Sequence, residues 1–72
     1  MEDYKERLVE EFNQTRDRAN KLEKILRKNS AGKLDFVPTC PISMLKKQHE
    51  IMLEYLEVLK MRAIYENIDL EY

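Results

Sequence analysis

Leu8, Phe12, Thr15, Ala19, Leu22 and Leu26 follow one another at steps of four, three, four, three and four residues. That spacing lays a single apolar seam along a helix. No Gly or Pro interrupts the run, which holds to about Lys28. Asp3, with Glu6 three residues on, has the form of a capping pair for the first turn. A second seam passes through Leu45, His49 (or Gln48), Met52, Leu56, Leu59 and Ala63. Pro41 suits the first turn of that second helix, where its missing N–H costs nothing, with Thr39 or Cys40 as N-cap. The pattern therefore predicts an all-α fold in one domain, an antiparallel helical hairpin. Its expected parts are a helix over about 4–28, an ordered loop over about 29–40, a helix over about 41–66 and a short tail, 67–72.

The second helix carries more apolar surface than one neighbour can cover. Ile51, Tyr55, Val58 and Tyr65 form a stripe offset from its seam, with Arg62 interrupting. Two stripes need two partners, and the second partner is most simply a symmetry mate. The hairpin is thus expected to assemble into a homo-oligomeric helical bundle through those four residues. Length points the same way, because a 72-residue chain buries little apolar surface without a staple, a metal or self-association. Cys40 is the only cysteine, and with His49 it cannot furnish a zinc site, so neither metal nor cofactor is expected. Met44, Met52 and Met61 suit deformable packing better than ligation. In the connection, Gly32 can take the positive φ that ends a helix, and Leu34 and Phe36 are expected to cap the hairpin core. Asn67 is expected to end the second helix, after which Ile68, Leu70 and Tyr72 either dock on a neighbour or fray.

Charge changes the picture at one end. Residues 1–11 hold five acids and two bases, whereas residues 16–28 hold six bases and two acids. The helix macrodipole accounts for that trend along the first helix. It does not account for Lys46 and Lys47, which sit near the positive start of the second. An antiparallel hairpin gathers these with Lys33 and the basic run at the loop end, a setting for an anion. Small Thr15 and Ala19 in mid-seam either set the helix spacing or open a polar-lined cavity. The formal net charge of −1 argues against nucleic acid as the partner, and no helix-turn-helix pattern points to DNA. The sequence holds no long apolar run and no basic-then-apolar leader, so neither a membrane span nor a signal peptide is expected. Paired catalytic carboxylates, a metal set and a Gly-rich phosphate loop are all missing, and an enzyme is not expected. Cys40 as a nucleophile would lack a base, since His49 lies about two turns away.

YKERLVEE (Tyr4–Glu11) and KLEKIL (Lys21–Leu26), followed by CPISML from Cys40 and then Gln48, Met52, Tyr55, Leu59 and Arg62, resemble a family of small phage helical proteins. That family includes crAss-like phage members and is similar to the anti-CBASS sponge proteins of tailed phages. The resemblance implies a non-enzymatic phage anti-defence protein, acting in the cytoplasm of the infected bacterial host. It would assemble, as a hexamer in such sponges, and sequester a cyclic di- or trinucleotide immune messenger in clefts between helices of adjacent protomers. Rings stack on bases there and cations hold phosphates. Tyr4, Arg7, Glu11, Thr15 and Arg18 recur at helical spacing along one side of the first helix. On that side Tyr4 would stack and Arg7 and Arg18 would contact phosphate or base edges, with Lys21 or Lys47 as secondary contacts. The competing expectation is an oligomeric protein-interaction module, an inhibitor that binds a host protein through the second stripe.

Overall fold

The computed structural model describes residues 3–70, in which two helices, α1 (Asp3–Ser30) and α2 (Ile42–Tyr65), form a rod of 47 × 19 × 17 Å. They run antiparallel: the Tyr4 hydroxyl near the start of α1 donates to Glu66 Oε1, just past the end of α2, at 2.7 Å. The seams expected from the spacing are the seams that meet. Leu8, Phe12, Thr15, Ala19 and Leu22 are buried on α1, and Leu56, Leu59 and Ala63 on α2. Phe12 and Leu59, at 1% and 0% exposure, are the most enclosed. Each is worth about 1.5–3 kcal/mol relative to an exposed side chain. Leu26, Leu45, His49 and Met52 are only half-buried, and Gln48 is exposed. The middle of the seam holds a polar group: buried Thr15 donates its hydroxyl to Glu11 Oε2, one turn back, at 3.4 Å.

Both helices end by the same device. Gly32 has φ +70°, with Lys33 N–H bonded to Lys28 O at 2.8 Å and Gly32 N–H to Asn29 O at 3.1 Å. Asn67 has φ +56°, with Ile68 N–H bonded to Ala63 O at 2.8 Å and Asn67 N–H to Ile64 O at 3.3 Å. These paired bonds satisfy carbonyls that the helix leaves open. Asn at the left-handed position is tolerated where most residues are not.

Several local expectations need correction. α1 runs two turn-forming residues further, to Ser30, because Gly32 rather than Lys28 sets its end. Asp3 is already helical instead of standing outside as a cap. Pro41 is itself the N-cap of α2, with φ −59° and ψ 144° and no side-chain capping bond, so neither Thr39 nor Cys40 serves there. Phe36 does not cap the core: it is half exposed, while Leu34 is partly covered. Ile68 and Leu70 pack against this chain's own core, as the turn at Asn67 directs them back over α1. Tyr72 lies outside the described residues.

Candidate ligand-binding groove

The loop half of α2 buries no residue before Leu56, so its apolar side chains line grooves instead of a core. One groove crosses between the helices. Arg18, Lys21 and Ile25 of α1 face Leu45, Gln48 and Met52 of α2. A second lies on the other side of the same α2 residues, where Leu45, Gln48 and Met52 are joined by Cys40, Lys47 and Ile51. Helical spacing explains the arrangement: Arg18, Lys21 and Ile25 are three and four residues apart, hence on one side of α1. No ion pair among the described residues engages Arg18, Lys21 or Lys47. Arg27, by contrast, is paired with Glu23 at 2.9 Å. Two cations and an amide thus border one apolar floor, and Lys47 borders the groove beside it.

Tyr4 and Arg7 are elsewhere. Fourteen residues of helix separate Tyr4 from Arg18, about 21 Å at 1.5 Å per residue. Tyr4 is half exposed, and its hydroxyl clasps Glu66 at the opposite end of the rod. The structure therefore puts Arg18 and Lys21 on one groove and Lys47 on the neighbouring one, and leaves Tyr4 and Arg7 apart from both within one chain.

The four residues expected at an interface remain uncovered, with Ile51 and Val58 about half exposed and Tyr65 more so. Met44 joins the same stripe and is exposed too. Tyr55 does more than line that stripe. Its phenol is held above the ordinary pKa of 10.0, first by burial and then by the hydrogen bond to Glu11 and that carboxylate's charge, while Arg62 pulls the other way. With the Thr15 bond, Glu11 links the seam to the exposed stripe. Sequence reading missed this connection, although Glu11 and Thr15 stand one turn apart on the Tyr4–Arg18 side.

Among the described residues no group of three or more His, Cys, Asp or Glu side chains could hold a metal ion, and no helix is long and apolar enough to cross a membrane. The family model described as Sequestin matches residues 2–65. No curated protein and no solved structure is a match for the chain.

Proposed function

We propose that this chain, which belongs to the Sequestin family, is a sponge that binds a phosphate-bearing signal molecule and withholds it without cleaving it. The family's name is one of sequestration. The observation that carries the reading is the groove in which Arg18 and Lys21 face Gln48 across an apolar floor. Cations not already spent on protein carboxylates are what phosphate oxygens require, and an amide beside Ile25, Leu45 and Met52 suits the edge and face of a base. The ligand class we favour is a cyclic di- or trinucleotide made by a bacterial immune system, met in the cytoplasm of a phage-infected host. The stripe of Ile51, Tyr55, Val58 and Tyr65 would join copies of the chain into a homo-oligomer, a hexamer if it follows the sponges it resembles.

Calorimetric titration against cyclic dinucleotides, cyclic trinucleotides and ADP-ribose-type signals tests this directly. The expected result is saturable binding of one class, with intact ligand recovered after the protein is denatured. Recovery of a hydrolysed product would make the protein an enzyme. Failure to bind any phosphate-bearing signal would remove the sponge reading and leave the exposed stripe of α2 as a surface for a host protein.

A further inference from the structure

The rod has opposite charge at its two ends. Residues 16–50, the loop half, hold nine bases against four acids; residues 3–15 and 51–70, the terminal half, hold eight acids against four bases. Along one flank runs the exposed apolar stripe Met44, Ile51, Tyr55, Val58 and Tyr65. From Met44 to Tyr65 the stripe covers about 32 Å of the 47 Å rod, at 1.5 Å per residue.

We infer that two copies of this chain pair antiparallel across that stripe, about a two-fold axis at the level of Tyr55, midway between Met44 and Tyr65. The occupant of the stripe is a second copy because the surface complements itself only in this direction. Reversed, the basic half of each rod lies along the acidic half of the other. Side by side in the same direction, like halves would be aligned throughout, basic on basic and acidic on acidic. The reversed pair also places the partner's Tyr4, which stands level with Glu66, beside Met44 and Lys47. The ring, about 21 Å from Arg18 in its own chain, then comes level with Lys47 of the other copy. This inference rests on the self-association in the proposed function but not on any ligand.

Disulfide trapping in a Cys40→Ser background reads the direction. Met44→Cys and Tyr65→Cys, both at exposed positions, are oxidised separately and after refolding together. The expected result is covalent dimer in the mixture, at least tenfold above either variant alone. Dimer from either variant alone at the level of the mixture would overturn the antiparallel direction. No dimer in any sample would overturn the choice of face. Light scattering on the unmodified chain separates the two ideas: a mass of 8.7 kDa at micromolar concentration removes self-association itself, whereas a multiple of it without mixed disulfide removes only this arrangement.

Discussion

The two halves of the hairpin divide the work. In the terminal half, Leu8, Phe12, Leu56, Leu59 and Ala63 close on one another, Ile68 and Leu70 fold back over them, and Tyr4 clasps Glu66 across the end. In the loop half, beyond buried Ala19 and Leu22, Leu26 and Leu45 are not enclosed, and Arg18 and Lys21 are left facing water. Both halves are written in the same heptad-like spacing. What differs is the flanking residues: acids and a returning tail at one end, bases and an eleven-residue connection at the other. A core that is complete at one end holds the helices in register, so the other end can keep an open groove. The enclosed core and the candidate groove are thus spatially separate, and each is expected to be perturbed without the other.

Truncation across the two halves should give the largest contrast. Leu59→Ala removes a fully enclosed side chain and is expected to cost about 2–5 kcal/mol, a large part of what so small a domain possesses. Leu45→Ala, half-buried at the groove, should cost less than half as much. Urea unfolding followed by circular dichroism measures both, and equal losses would mean that the loop half is as tightly packed as the terminal half. Next in size is Arg18→Ala. Loss of one charge-assisted contact is worth about 1.5–3 kcal/mol, roughly 10- to 150-fold in affinity. The thermal midpoint should hardly move, since Arg18 is exposed and no ion pair engages it. A variant that binds normally would take the site away from the groove.

How much of this division could be read from the chain follows from which forces set each part. The seams were legible because burial repeats every three or four residues, and Leu8, Phe12, Leu56 and Leu59 each obey that repeat. Gly32 was legible for its backbone freedom, and Asn67 for the same reason to a lesser degree. The groove was legible only in half: the basic run gathers Arg18, Lys21 and Lys47 at one end of any antiparallel hairpin. Tyr4 was placed with them by its helical face, a criterion blind to distance along the axis. Phe36 and Ile68 exchanged roles with expectation because a loop residue's direction is decided by tertiary contacts, here the turn at Asn67, and not by any period in the sequence. The influence of Glu11 on the Tyr55 phenol acts between residues 44 apart. Its existence depends on helix register, which the seams constrain to about a turn and no better.

Smaller effects sharpen the same comparison. Tyr4→Phe removes the bond to Glu66 but keeps the ring, and at this exposed end it should cost no more than about 1 kcal/mol. If Tyr4 stacks on ligand, Tyr4→Phe should bind as well as the unmodified chain while Tyr4→Ala loses affinity. If Tyr4 is only a clasp, neither substitution should change binding.

The smallest expected effect is a pH dependence at the middle of the rod. Burial and Glu11 raise the Tyr55 pKa above 10.0, so the native state holds the phenolic proton more tightly than the unfolded chain does. The stability this supplies is fully present below about pH 10 and is lost as pH rises through the folded-state value. Tyr55 is 40% exposed, so solvent screening keeps the amount small. Lysines titrate in the same range, and the informative quantity is the difference between the unmodified chain and Tyr55→Phe in urea midpoint from pH 8 to 11.5. That difference should be constant below pH 10 and shift in favour of Tyr55→Phe above it. A flat difference across the whole range would place Glu11 too far from the phenol to matter, and would uncouple the seam from the exposed stripe.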